Sequence, residues 1–137
     1  MSEMLDTNRL TDRVASLVEA AKRAGADAAD AVAVRSRSTS VTVRLGKVES
    51  TDASESDDVS LRVFVGQKIA FVSSTDFSAE ALAGLPDRAV AMARLAPEDM
   101  FAGLAPKDRL ATKLPELDLE DATEPSADSL IARARHT

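Results

Sequence analysis

The first apolar positions of the chain have the spacing of one face of an α-helix. Between residues 7 and 24, apolar side chains recur at the helical spacing: Leu10, Val14, Leu17, Val18 and Ala21. Gly25 follows directly, and glycine commonly occupies the left-handed position that ends a helix. The sequence therefore predicts an N-terminal helix over residues 7–24.

Several segments between residues 31 and 72 alternate apolar and polar positions, which is typical of β-strands with one buried face. Gly66 can turn one strand into the next, and Gly46 with Lys47 can form another hairpin turn. These short connections predict a largely antiparallel sheet of about five strands. The segments predicted as strands are 31–35, 41–45, 48–51, 59–65 and 69–72.

A second helical pattern extends from Ala79 to about Leu95. Ser78 is the expected N-cap, and Pro86 lacks the backbone N–H that a helix interior needs. A kink or break is therefore predicted near Gly84. Together with the first helix and the sheet, this pattern predicts an α+β fold class in which the second helix packs on the sheet.

The helical and strand periodicities fade after residue 96, where prolines at positions 97, 106, 115 and 125 interrupt the chain. Residues 1–96 are predicted to form the α+β domain. Residues 97–125 are predicted to form an extended linker, the irregular, proline-punctuated part of the chain. Residues 126–137 are expected to begin a helix that is truncated before it can bury a full face.

Composition narrows the classes of partner that the chain can bind. The formal net charge is −6, and the only aromatic residues are four phenylalanines. This charge opposes binding to nucleic acid, which requires a basic surface. The sequence shows neither a run of about 20 apolar residues nor a secretory signal. We therefore expect a cytoplasmic, acidic domain with no nucleic-acid partner and no membrane partner.

The residue inventory offers little for catalysis. There is no cysteine, and the only histidine is His136, close to the end of the chain. The one candidate for metal binding is the acidic run of Asp52, Glu55, Asp57 and Asp58. It lacks the spacing of an EF-hand loop and is interpreted as a solvated connection between strands. No catalytic, cofactor-binding or metal-binding residue is predicted.

Several segments, taken in order, resemble a known family. In that order they are similar to the first domain of the TldD/PmbA (TldD/TldE) proteins, the so-called modulators of DNA gyrase. The last two look more like the PmbA (TldE) branch. One departure is Val59–Ser60, where the family tends to have a glycine. The segments are Ala24–Asp30, Val41–Glu49, Leu61–Gly66, Ala70–Ser78, Pro97–Leu104 and Leu114–Leu119.

The resemblance implies a subunit of a heteromeric metallopeptidase that processes or degrades small or unfolded peptides. In that family a TldD-like subunit binds zinc through a HExxxH helix, while a PmbA-like subunit looks non-catalytic. No HExxxH motif occurs in this chain, so no site residue is transferred to it. The resemblance implies that the chemistry lies beyond Thr137. This segment would be a non-catalytic scaffold and assembly domain, with a TldD-like catalytic subunit as its partner.

Two alternative functions remain open at the level of sequence. The chain could be an autonomous interaction module that binds an extended peptide or partner at a sheet edge, at Ser36–Ser40 or Ser50–Ser56. Such polar residues also protect an edge against aggregation, and this second interpretation is favoured. A small acidic hydrolase is the other alternative, and the residue inventory argues against it.

Overall fold

The computed structural model describes residues 7–119 and 121–136. The chain combines helices with one antiparallel sheet, which confirms the predicted α+β class. The elements are α1 (Thr7–Arg23), β1 (Ala28–Arg44), β2 (Lys47–Val65), β3 (Lys68–Ser74), α2 (Ala79–Ala83), α3 (Leu85–Leu95), a short 3-10 helix (Lys107–Arg109) and α4 (Ala127–Arg135).

The chain divides into two compact units. The first comprises the described residues up to Arg35 together with Ser56–Arg109. The second comprises Ser36–Glu55 and the described residues from Leu110 onward. Because β1 and β2 are long, each of them contributes residues to both units.

The sheet has three strands in the order β1–β2–β3, so the prediction of five strands was wrong. Strand β1 contains the predicted segment 31–35 and all of the predicted segment 41–45 except Leu45. Strand β2 contains the two predicted next, together with the acidic residues 52–58 that were interpreted as a loop. Neither glycine nor proline interrupts residues 36–44 or 47–58, so the backbone can remain extended through them.

Cross-strand ion pairs occupy the polar part of these two long strands. In the first unit, Nε of Arg35 donates to Oδ1 of Asp57 at 2.5 Å. In the second unit, Nε of Arg37 donates to Oε1 of Glu55 at 2.8 Å. Residue numbers rise along β1 as their partners' numbers fall along β2, as antiparallel strands require. Opposite charges across a pair stabilise strands that lack an apolar pattern.

The hairpin turn between β1 and β2 lies one residue earlier than predicted. Its two residues are Leu45 and Gly46, whereas Lys47 is already in β2. Their φ angles are 50° and 76°, and two consecutive positive values define a type I′ turn. The predicted Gly46–Lys47 turn placed glycine at the first turn position. In the structure glycine occupies the second position, and Leu45 occupies the first with a positive φ, which is unfavourable for a residue other than glycine.

Helix α1 has the predicted face and the predicted end. Leu17 and Ala21 are buried in the core. Gly25 adopts a φ of 107° and donates its N–H to the carbonyl of Lys22 at 3.1 Å. The N–H of Ala26 reaches back to the carbonyl of Ala21 at 3.0 Å. This pair of hydrogen bonds is a Schellman motif, which satisfies the last carbonyls of the helix.

The core of the first unit lies between one face of the sheet and the helices. Helix α3 packs on both β3 and α1. Aliphatic and alanine side chains fill this layer, and three of them are fully buried in the central strand: Val59, Leu61 and Val63. Where β2 pairs with β3, Leu61 lies opposite Val72 and Val63 lies opposite Ala70.

The second helical region is interrupted as predicted. Helix α2 ends at Ala83, Gly84 separates it from α3, and Pro86 occupies the first turn of α3, where a missing N–H costs nothing. Ser78 is the N-cap of α2, and its hydroxyl accepts a hydrogen bond from the N–H of Ala81 at 3.3 Å.

In the second unit, α4 lies beside the part of β1 that contains Thr39 and Val41. Leu130 and Ala134 of this helix, with Thr39 and Val41 of β1, line a shallow depression. Ser126 caps the helix by accepting a hydrogen bond from the N–H of Ser129 at 3.2 Å. The helix lies within residues 126–137, where the start of a helix was predicted.

Candidate functional site

The sheet face that points away from α1 and α3 carries exposed apolar side chains. Ala31 and Ala33 contact the core, so strand alternation directs Val32 and Val34 to the opposite face. Val32 is 60% exposed and Val34 is 50% exposed. In β3, Phe71 is 57% exposed although its neighbours on both sides are buried. We call Val32, Val34 and Phe71 the open face.

An ion pair lies on the same side of the sheet as the open face. Nε of Arg62 donates to Oδ1 of Asp30 at 2.7 Å, and a second guanidinium N–H donates to Oδ2. The guanidinium carbon lies 5.3 Å from the ring centre of Phe64 and 5.9 Å from that of Phe71. The hydrogen bond to Asp30 raises the pKa of Arg62. The ion pair therefore holds the positive charge of Arg62 close to two aromatic rings.

Sequence reasoning missed the open face, although the sequence contains a signal for it. Residues 31–34 read Ala-Val-Ala-Val, so both faces of this part of β1 are apolar. A strand that is apolar on both faces is typical of a sheet covered on both sides. In the structure, α1 and α3 cover the alanine face, and the valine face is exposed.

A hydrogen-bonded turn presents two further apolar side chains in the first unit. The N–H of Asp99 donates to the carbonyl of Gln67 at 2.7 Å, which ties this segment to the β2–β3 turn. The carboxylate of Asp99 accepts the N–H of Phe101 at 2.9 Å, and its carbonyl accepts that of Ala102 at 2.9 Å. Met100 is 74% exposed and Phe101 is 85% exposed. We call residues 99–102 the anchor turn.

The acidic run considered for metal binding is distributed along β2. Glu55 and Asp57 form ion pairs with arginines of β1, and the bonded Arg35 lowers the pKa of Asp57. Asp52 accepts a hydrogen bond from the hydroxyl of Ser50 at 3.0 Å, and Asp58 lies in the same strand. Among residues 7–119 and 121–136, no three His, Cys, Asp or Glu side chains are grouped to hold a metal ion.

The structure also places the two candidate sheet edges. Ser36–Ser40 lie in β1, which is an edge strand of the sheet. Ser50–Ser56 lie in β2, whose pairing with β3 extends only over Val59–Val65. The sheet-edge interaction therefore remains a prediction. His136, the only histidine, is the C-cap residue of α4, and its N–H donates to the carbonyl of Arg133 at 3.2 Å.

Within the part of the chain that the structure describes, no helix has the length and apolarity needed to cross a membrane. The architecture is that of an α+β domain with helices on one face of a three-stranded antiparallel sheet. Residues 29–93 match the family described as PmbA/TldA metallopeptidase domain 1. The chain therefore belongs to the PmbA/TldD family through this first domain.

Relatives and solved structures agree with this assignment. The chain is 33% identical over 119 residues to the metalloprotease PmbA homolog of Haemophilus influenzae, covering 87% of this chain and 26% of that protein. It is 32% identical over 108 residues to the metalloprotease PmbA of Escherichia coli O157:H7, covering 79% and 24%. The chain thus spans about a quarter of the length of these relatives.

Two crystal structures share the fold. TldE from Thermococcus kodakarensis superposes with a TM-score of 0.65 at 15% identity, covering 77% of this chain and 24% of that chain. A Bacteroides thetaiotaomicron protein described as a modulator of DNA gyrase superposes with a TM-score of 0.76 at 21% identity, covering 87% and 26%. Both similarities support the fold, and the family name rests on the sequence matches.

Proposed function

We propose that this domain is a non-catalytic scaffold and assembly domain of a PmbA/TldE-like subunit. The complete enzyme would be a heteromeric, cytoplasmic metallopeptidase that processes or degrades small or unfolded peptides. In this proposal a TldD-like catalytic subunit binds the zinc ion and cleaves the substrate. The present domain contributes a surface on which the enzyme assembles. The family match and the metalloprotease relatives support this proposal.

The open face is the observation that carries the proposal. Val32, Val34 and Phe71 are each at least half exposed on a sheet whose other face is buried under helices. Exposed apolar side chains on the same sheet face as a charged pair are compatible with a protein–protein contact surface. A phenylalanine with an arginine held over its ring offers both apolar area and directional contact.

Association with a purified TldD-like subunit tests the assembly role. We expect the chain to bind it, and we expect the double variant V34T/F71T to bind at least about tenfold more weakly, because buried aromatic anchors dominate interface energies. Threonine suits an exposed strand position, so the fold should survive. Titration calorimetry measures the affinity, and circular dichroism verifies the fold.

The double variant M92Q/L95Q is a matched control. It removes two exposed apolar side chains from α3, outside the open face, and glutamine is a good helix former. We expect its affinity to match that of the wild type. Equal affinities for V34T/F71T and the wild type would exclude the open face as the contact. Failure of the wild-type chain to bind would contradict the assembly role itself.

A further inference from the structure

An exposed segment without regular structure follows the last residue of the first unit. Residues 110–119 lie outside the helices and strands, and every one of them is exposed. The segment begins directly after Arg109, where the first unit ends. Proteolytic cuts in folded proteins concentrate in exposed backbone of this kind. The segment therefore has the general character of a protease-accessible site.

Backbone hydrogen bonds distinguish this segment from the anchor turn. In the anchor turn, the N–H groups of Asp99, Phe101 and Ala102 all donate hydrogen bonds. Among the described residues, no backbone hydrogen bond joins residues 110–116 to a helix, a strand or another turn. A protease that binds its substrate as an extended strand can therefore take this segment without first unfolding it.

Lys113 is the residue of this segment that gives a protease a specific side chain to recognise. It is exposed, and residues 110–119 contain no other basic residue. Pro115 disfavours a helical backbone at Leu114, so the chain stays extended just after Lys113. A lysine before an extended backbone suits an endopeptidase with an acidic specificity pocket. The Lys113–Leu114 bond therefore combines recognition with access.

A cut at this bond would leave the first unit in one fragment. That unit ends at Arg109, and the packing of α3 on β3 and on α1 lies entirely before the cut. In the second unit, α4 meets β1 at a shallow depression, and Nη1 of Arg37 lies 4.0 Å from Oε1 of Glu124. An exposed ion pair contributes little to stability. The fragment that begins at Leu114 should therefore dissociate after cleavage.

We propose that residues 110–119 form a proteolytic processing site, cut at the Lys113–Leu114 bond by a lysine-specific endopeptidase. In this hydrolysis the amide C–N bond breaks. Water supplies a hydroxyl group to the carbonyl carbon of Lys113 and a proton to the nitrogen of Leu114. The products are a folded first unit and a released fragment that carries α4. This site is separate from the open face, and it does not depend on the assembly role.

Limited digestion of the chain with a lysine-specific endopeptidase, followed by intact mass spectrometry, tests the site. We expect the first cut after Lys113, at least about tenfold faster than after any other lysine, because a site in regular structure must open before it is cut. The other lysines lie in such structure: Lys22 in α1, Lys47 in β2, Lys68 in β3 and Lys107 in the 3-10 helix.

The variant Lys113→Gln should lose the rapid cut. Lys107→Gln is the matched control, because it also removes an exposed lysine from the chain after α3, and it should keep the rapid cut. A first cut after another lysine, or a rapid cut that survives in Lys113→Gln, would overturn the site.

The products of the digestion test the second half of the proposal. Size-exclusion chromatography should separate the two fragments, and the fragment that ends at Lys113 should keep a cooperative thermal transition by circular dichroism. Fragments that stay together would contradict the release of α4. Loss of the folded signal as the cut proceeds would show that the first unit does not survive processing.

Discussion

Gly25 is the residue at which α1 ends and the chain turns toward the sheet. Its φ of 107° lies in the region that glycine adopts far more readily than other residues. A Cβ atom at this position would lie 2.7 Å from a guanidinium nitrogen of Arg94, which crosses the turn from α3. Position 25 thus combines a conformational constraint with a steric one.

We therefore expect Gly25→Ala to lower the free energy of unfolding by about 1 kcal/mol or more, since alanine is strained at positive φ. Arg94 has a flexible side chain that can move aside, so the backbone term should dominate. Urea unfolding of the variant measures the change. Gly84→Ala is the control, because Gly84 has a φ of −84° and open space around it. Equal effects of the two substitutions would contradict this account.

At the scale of elements, the sequence predicted the helices better than the lengths of the strands. The apolar spacing of α1 and the break before Pro86 depend on residues close together in sequence, so they were predicted correctly. The lengths of β1 and β2 depend on pairs such as Arg35 with Asp57, which are distant in sequence. A polar segment in isolation has no periodicity that distinguishes a strand from a loop.

The sequence did not predict the two exposed apolar surfaces, for a related reason. The exposure of Val34 depends on which sheet face α1 and α3 cover, and no single strand encodes that choice. The segment containing Phe101 was noted only as part of the family resemblance. The position of its turn depends on a hydrogen bond from Asp99 to Gln67, a residue of the β2–β3 turn.

The Arg35–Asp57 pair predicts how the paired strands respond to acid. The hydrogen bond from Arg35 lowers the pKa of Asp57 from its usual value of 3.8. The unfolded chain therefore takes up the proton first as the pH falls. The stabilisation is fully present above pH 3.8 and is lost as the pH falls through the lower pKa of the folded state.

We expect Asp57→Asn to reduce the dependence of stability on pH below 3.8. Guanidinium unfolding midpoints across a series of acidic buffers measure this dependence. Arg35→Gln should produce a similar reduction, because it removes the same hydrogen bond from the other side. An acid dependence that survives in both variants would show that the pair does not contribute to it.

At the scale of the whole molecule, the central strand holds the first unit together. Leu61 of β2 is fully buried on the sheet face that packs against the helices. Leu61→Ala should lower the free energy of unfolding by about 2–5 kcal/mol, the range for deleting a buried leucine side chain. Val48→Ala is the control, because Val48 is exposed in the same strand. Similar losses for both would contradict the assignment of the core.

The central claim is that this domain serves assembly and leaves the chemistry to its partner. The most direct test is hydrolysis of a fluorogenic unfolded peptide by the purified chain with added zinc, measured alone and with a TldD-like subunit. The account predicts no zinc-dependent hydrolysis by the chain alone, and hydrolysis when the TldD-like subunit is present. Zinc-dependent hydrolysis by the chain alone, abolished by a chelator and restored by zinc, would contradict it.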